Sequence, residues 1–91
     1  MDRLSNVVFG GYDKVDTLRY IDQLTSEIYA LEAAIDKKKN GEYYDMPFPV
    51  PEMQLMSTAL GGFDKDDVES YVLELRERIS VLRERISGQE P

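Results

Sequence analysis

The chain has 91 residues, a hydrophobic fraction of 42% and a formal net charge of −7, a combination that predicts one small folded domain. It contains neither cysteine nor histidine, which excludes disulfides, thiolate nucleophiles and the commonest general base and metal ligand. The acidic balance argues against sequence-independent nucleic-acid binding, because such binding needs lysine and arginine to neutralise phosphate.

A segment near the N-terminus recurs in the second half of the chain. When the sequence is shifted by 51 residues, positions 9–35 align with positions 60–86 without a gap, and ten of the 27 aligned positions are identical. A repeat of this kind indicates two copies of one structural unit. The predicted organisation is a single domain over residues 1–91, composed of repeat 1 (2–39), a proline-rich linker (40–52) and repeat 2 (53–88).

Each repeat opens with a pair of glycines, an aromatic residue and an aspartate. Glycine permits a tight turn, and aspartate is a preferred N-cap residue. This pattern predicts one helix from about Lys14 to Lys39, ended by an αL cap at Asn40-Gly41, and a second from about Lys65 to Ser87. The turn and cap residues are Gly11, Tyr12, Asp13, Gly62, Phe63 and Asp64.

The connection between the two helices is interrupted by prolines. Pro47, Pro49 and Pro51 exclude a regular helix through its first half, whereas Pro51 can open a short helix over residues 52–59. The connection is also rich in large apolar side chains, which either pack onto the helices or bind a partner. These side chains are Tyr43, Tyr44, Met46, Phe48, Met53, Leu55 and Met56.

Both helices carry a heptad pattern over three heptads. Isoleucine or valine occupies the a positions, and leucine occupies most d positions, with Thr17 and Val68 at the first d of each helix. This combination favours a parallel two-stranded coiled coil, and helices of this length are marginal unless the seam is buried. The predicted seam is Ile21, Leu24, Ile28, Leu31, Ile35, Val68, Val72, Leu75, Ile79, Leu82 and Ile86.

Charges beside the seam indicate which helices pair. In a parallel coiled coil, a g residue of one helix meets the e residue of the next heptad on the other helix (the g–e rule). Glu27 and Arg78 are at g positions, and Glu32 and Arg83 are at e positions. Pairing the first helix with the second therefore brings Glu27 to Arg83 and Glu32 to Arg78, whereas pairing either helix with itself brings like charges together. The connection is long enough to return to the start of the first helix, so both helices can run in the same direction. The predicted fold is therefore all-α, with a parallel coiled coil formed as a pseudo-dimer within one chain. A homo-oligomer that exchanges helices satisfies the same charges.

The two turn motifs resemble a known family. The segments Gly11-Tyr12-Asp13-Lys14-Val15-Asp16 and Gly62-Phe63-Asp64-Lys65-Asp66-Asp67-Val68-Glu69-Ser70-Tyr71-Val72 are similar to the signature of the DivIVA/GpsB family. The resemblance covers roughly 55 residues, counted over both repeats. It implies a cytoplasmic bacterial scaffold at the septum or cell pole that recruits division or wall-synthesis proteins to the inner membrane face.

The resemblance also implies two binding sites. DivIVA-like members contact membrane through residues just before the turn, where this chain has Phe9 and Leu60; the alternative is that both side chains are core under the turn. GpsB-like members bind arginine-containing tails through the turn tyrosine and acids six and ten residues later. The matching residues are Tyr12 and Asp22 in repeat 1 and Glu69 in repeat 2, and the alternative is that both acids are solvated helix charges.

The function expected from the sequence is non-enzymatic. The acidic residues at the two turns serve as helix caps, so no catalytic residue, cofactor or metal ion is predicted. The chain lacks an apolar stretch of about 20 residues and a signal-peptide core, which predicts a cytoplasmic protein. Two binding roles stay open: a division scaffold peripheral to the membrane or septum, and a soluble coiled-coil adaptor that has lost membrane contact.

Overall fold

The computed structural model describes residues 3–88, and in that range it contains two α-helices and no β-strand. Helix α1 spans Lys14–Lys39 and helix α2 spans Lys65–Ser87. This confirms the all-α class, and both helices have the bounds that the sequence predicts. The outermost residues of the predicted domain, 1–2 and 89–91, lie outside the described residues. Neither helix is long and apolar enough to cross a membrane.

The two helices begin in the same way. Asp13 accepts a hydrogen bond from the backbone N–H of Asp16 at 2.9 Å, and Asp64 accepts one from Asp67 at 3.0 Å. Both aspartates therefore cap their helix as expected. At the other end of α1, Gly41 has a φ of 72°, which is the left-handed conformation of a glycine cap.

The turn segments that precede the helices pair with each other through their backbones. Tyr12 and Phe63, which are equivalent in the repeat, exchange two N–H···O bonds of 2.9 Å. Six of the remaining seven backbone bonds between the segments form pairs related by the shift of 51 residues, so each copy contacts the other reciprocally; the seventh, Gly11→Gly61 at 3.1 Å, has no such counterpart among the described residues. These pairs are Val7→Gly62 with Thr58→Gly11, Gly10→Ala59 with Gly61→Val8, and Asp13→Met56 with Asp64→Ser5.

The short helix predicted over residues 52–59 is wrong. These residues form no helix, and their second half is part of the paired turn segments. Thr58 N–H donates to Gly11 O at 2.9 Å, and Ala59 O accepts from Gly10 N–H at 3.2 Å. Backbone groups bonded to the other repeat are not available for the bonds of a helical turn.

The helices lie side by side with like ends together. The paired turns hold the two N-terminal ends, and near the C-terminal ends Lys38 Nζ donates a hydrogen bond to Ile86 O. Between these points the core consists of two hydrophobic clusters, and all eleven predicted seam residues belong to them or pack against them. The molecule is accordingly elongated, measuring 51 × 20 × 17 Å.

One pair of equivalent core positions differs in polarity. Thr17 in α1 and Val68 in α2 are both fully buried. Thr17 Oγ1 has no hydrogen-bond partner among the described residues. A buried hydroxyl without a partner is destabilising, because it has lost its hydrogen bond to water.

The paired turns leave no space for a side chain at Gly11. A Cβ there would lie 2.6 Å from Phe63 O and 2.7 Å from a backbone carbon of Gly62. We therefore expect Gly11→Ala to lower the free energy of unfolding by about 3 kcal/mol. Gly10→Ala is the matched control: its φ is +73° with nothing within 4 Å, so only the backbone penalty of about 1–2 kcal/mol applies. If urea denaturation shows the same loss of unfolding free energy in both variants, the close approach of the turns is contradicted.

Replacing the buried threonine should stabilise the protein. Thr17→Val removes the unpaired hydroxyl and installs the residue found at the equivalent position, Val68. We expect the free energy of unfolding to rise by about 1 kcal/mol, measured by chemical denaturation. The reverse change in the other repeat, Val68→Thr, should lower it by about 1–2 kcal/mol. A stabilising Val68→Thr would show that the buried hydroxyl is not the cause.

Candidate functional site

An apolar tip lies at the end of the molecule where the turns meet. Phe9 and Leu60 face each other in an antiparallel bridge, and their side chains are 71% and 70% exposed, with Val8 beside them at 71%. We call these three residues the tip. The interpretation of Phe9 and Leu60 as core residues is therefore wrong.

The space beneath the turns is filled by other side chains. Leu4 is 6% exposed and clusters with Ile21 and Val68, and the rings of Tyr12 and Phe63 pack against them. Because these five residues fill the space beneath the turns, Phe9 and Leu60 lie outside the core. Leu4 is a core residue that sequence reasoning missed. Its signal was weak, since only its alignment with Leu55 in the repeat pointed to it.

A groove of about 790 Å³ lies beside the paired turns and takes residues from both repeats. Tyr12 of repeat 1 donates its hydroxyl hydrogen to Glu69 of repeat 2, with 2.6 Å between the oxygens. Tyr12 and Glu69, two predicted partner-site residues that the sequence assigns to different repeats, thus meet across the molecule. The third, Asp22, is exposed and does not line this groove.

The groove combines apolar surface with charges of both signs. Lys65 lies over the Tyr12 ring, with 5.1 Å between its Nζ and the ring centroid. Leu73 contributes a side chain that is 59% exposed, and Glu52 and Arg76 also line the groove. Such a surface can bind an apolar side chain next to a charged group of a ligand.

The connection between the helices covers one side of α1. We call its residues 43–53 the strap. Three α1 residues spaced seven apart, and therefore on one face of the helix, are only 2%, 4% and 3% exposed: Tyr20, Glu27 and Ala34. The apolar side chains of the connection are divided: Tyr44, Val50, Met53 and Leu55 pack against the core, whereas Tyr43, Met46, Phe48 and Met56 are exposed.

Both charge pairs predicted beside the seam occur, in different environments. Arg83 Nη2 lies 2.7 Å from Glu27 Oε2, where the Glu27 side chain is 2% exposed. Arg78 Nη2 lies 3.3 Å from Glu32 Oε2, where both side chains are nearly half exposed. An exposed pair contributes about 0–1 kcal/mol, whereas removing one partner of a buried pair costs about 3–5 kcal/mol.

Glu27 also holds the strap. Its Oε1 accepts the Val50 N–H at 3.0 Å, while Arg83 Nη2 donates to Pro47 O at 2.7 Å. The carboxylate thus accepts bonds from both the second helix and the connection. These contacts offset the free-energy cost of burying the charge of Glu27.

A second arginine repeats this arrangement one heptad earlier. Arg76 Nε donates to the Tyr20 hydroxyl at 3.0 Å, and both terminal nitrogens lie 3.3 Å from Val50 O. Arg76 and Arg83 are both at e positions of α2, facing Tyr20 and Glu27 at g positions of α1. Extending the g–e rule by one heptad would have found the Tyr20–Arg76 contact, which sequence reasoning missed.

An ion pair that the sequence did not predict joins the N-terminal segment to α2. Arg3 donates two hydrogen bonds to Glu74, at 2.8 and 2.7 Å, and its guanidinium lies 4.8 Å from the centroid of the Tyr71 ring. The hydrogen bonds from Arg3 lower the pKa of Glu74 below its ordinary value. These contacts fasten the N-terminal segment along α2 on the side away from the strap.

Comparison with known proteins finds no match for this chain. No protein-family model matches the chain, and neither a curated protein nor a solved structure is significantly similar to it. The resemblance to DivIVA/GpsB therefore depends on the repeated turn motif alone. Within residues 3–88 there is no group of three or more acidic side chains placed to hold a metal ion.

The Tyr12–Glu69 contact can be tested by titration. The hydrogen bond to Glu69, with burial and the nearby charge, raises the pKa of Tyr12 above its ordinary 10.0. The contact therefore stabilises the fold below that ordinary value and is lost as pH rises through the raised one. In Glu69→Gln we expect Tyr12 to titrate at lower pH, followed by NMR of ring-labelled tyrosine.

Tyr43 is the internal control for this titration. Its pKa is raised by a separate hydrogen bond to Asp45, so Glu69→Gln should leave it unchanged. A Tyr12 titration that does not move in the variant would show that Glu69 is not its partner in solution.

Proposed function

We propose that this chain is a non-enzymatic scaffold or adaptor of the DivIVA/GpsB kind. In this proposal α1 and α2 form a parallel coiled coil as a pseudo-dimer within one chain. The tip contacts the inner face of the bacterial membrane, at the septum or a cell pole. Its partners are proteins of division or cell-wall synthesis. The exposed tip is the observation that carries the proposal.

The coiled-coil part of the proposal is supported by how the helices meet. Like ends lie together, and the seam residues form the core. The charged contacts follow the g–e rule of parallel coiled coils at Glu27–Arg83 and Glu32–Arg78. Because both helices belong to one chain, the pairing does not require a second copy.

The membrane part is supported by the position and chemistry of the tip. Phe9 and Leu60 come from equivalent places in the two repeats and lie together at one end of an elongated molecule. Apolar side chains exposed in this way can enter the boundary between lipid headgroups and acyl chains. A net charge of −7 gives no attraction to anionic lipid, so the apolar side chains have to supply the affinity.

The alternative is a soluble adaptor that binds partners through the groove. The observation that favours it is the Tyr12–Glu69 contact, which joins both repeats in one binding surface. In this role Glu69 and Glu52 would meet a basic residue of the partner, and Leu73 an apolar one. The two roles use different surfaces, so substitutions at the tip separate them.

Co-sedimentation with lipid vesicles tests the membrane role. We expect the wild type to pellet with zwitterionic vesicles at physiological salt, and anionic lipid to bring no increase. Burying a phenylalanine or leucine side chain contributes about 1.5–3 kcal/mol. The double variant Phe9→Ala/Leu60→Ala should therefore bind at least about tenfold more weakly.

Phe48→Ala is the matched control, since Phe48 is an exposed phenylalanine in the strap, away from the paired turns. It should pellet like the wild type. A wild-type chain that stays in the supernatant with both kinds of vesicle would remove the membrane role and leave the adaptor. Circular dichroism of each variant should show unchanged helix content.

A further inference from the structure

The strap approaches the helices at every third residue. Tyr44, Pro47, Val50 and Met53 are half-buried, whereas the residues between them are exposed. This stretch contains neither α-helix nor β-strand. A period of three residues, in a segment containing Pro47, Pro49 and Pro51, is the signature of a polyproline II helix packed along one edge.

The inner edge of the strap is fastened at two points. Pro47 O accepts from Arg83 at 2.7 Å, and at Val50 the N–H donates to Glu27 at 3.0 Å while the carbonyl accepts from Arg76 at 3.3 Å. All three partners are helix residues whose side chains are buried or half-buried. The backbone between the two points, at Phe48 and Pro49, is therefore held in place.

The outer edge presents an aromatic side chain between these points. Phe48 is 92% exposed, more than any other large apolar residue described. Pro47 and Pro49 fix the φ angle on both sides of it, which limits the backbone conformations through which the ring could turn towards the helices. Asp45, Phe48 and Pro51 share this edge, spaced about 9 Å apart for a rise of 3.1 Å per residue.

We propose that the strap is a preformed ligand for a protein domain that binds polyproline II segments in a groove lined with aromatic side chains. Such grooves recognise the segment because it is already ordered, which lowers the entropy lost on binding. Phe48 fills the central pocket and Pro51 the next one along the groove. Glu42, Asp45 and Glu52 are all exposed, so the partner carries lysine or arginine at the rim of its groove.

The test uses the full chain and a panel of purified domains with aromatic polyproline-binding grooves, half with basic rims and half with acidic rims. Biolayer interferometry should detect saturable binding to basic-rimmed domains only. Phe48→Ala should weaken this binding about tenfold or more, as expected for an aromatic anchor. Phe9→Ala, an exposed phenylalanine in the tip, should bind like the wild type.

A second variant tests the preformed backbone. Pro49→Gly keeps Phe48 and every hydrogen bond of the strap, and Pro49 is exposed, so the fold should be retained. Binding should weaken several-fold because the strap then has to be ordered on binding. Thermal unfolding and circular dichroism close to wild type confirm that both variants are folded.

Several results would overturn the proposal. These are no binding to any domain, equal binding to both rim types, or wild-type affinity in Phe48→Ala. Sedimentation velocity and vesicle pelleting of the free chain complete the test. Self-association or lipid binding that Phe48→Ala abolishes would assign the side chain to a second copy or to a membrane instead.

Discussion

The structure depends on the reciprocal backbone pairing of the two glycine turns. Tyr12 and Phe63 exchange both of their N–H···O bonds, and the approach is so close that a Cβ on Gly11 would lie 2.6 Å from a carbonyl oxygen. Asp13 and Asp64, whose side chains cap the two helices, are part of the same pairing, because the backbone N–H of each donates a hydrogen bond to the other repeat. Both helices thus begin side by side, and the register of their seam follows from that start.

The strap makes the two sides of the helix pair unequal. On one side it buries the Glu27–Arg83 contact, whereas on the other Glu32–Arg78 remains in solvent. A buried ion pair adds little net stability, since desolvation of both charges opposes their attraction. Loss of the pair would nevertheless leave the Glu27 carboxylate buried and unpaired, which costs free energy. Any arrangement of the strap that does not supply the same bonds is therefore disfavoured. We interpret the pair as specifying where the connection lies.

Much of the fold could be predicted because its signals are local. The N-caps, the glycine cap at Gly41 and the heptads set both helices, and the g–e rule led to Glu27–Arg83. The connection could not be predicted in the same way. Proline at position 51 permits a helix, but the backbone bonds of Met56, Thr58 and Ala59 to the first turn decide against one. The exposure of Phe9 likewise depends on Leu4 occupying the core, a contact between distant segments that no local pattern reports.

Carrying both repeats in one chain allows equivalent positions to differ. Glu69 faces Tyr12 in the groove, but the position equivalent to Glu69 in repeat 1 is Leu18, and Tyr12 is replaced in repeat 2 by Phe63. The phenol–carboxylate contact can therefore form on one side only. In a symmetric homodimer the same site would occur twice, or not at all. A chain built in this way can offer one partner a single groove of defined polarity, while each repeat still contributes a large apolar side chain, Phe9 or Leu60, to the tip.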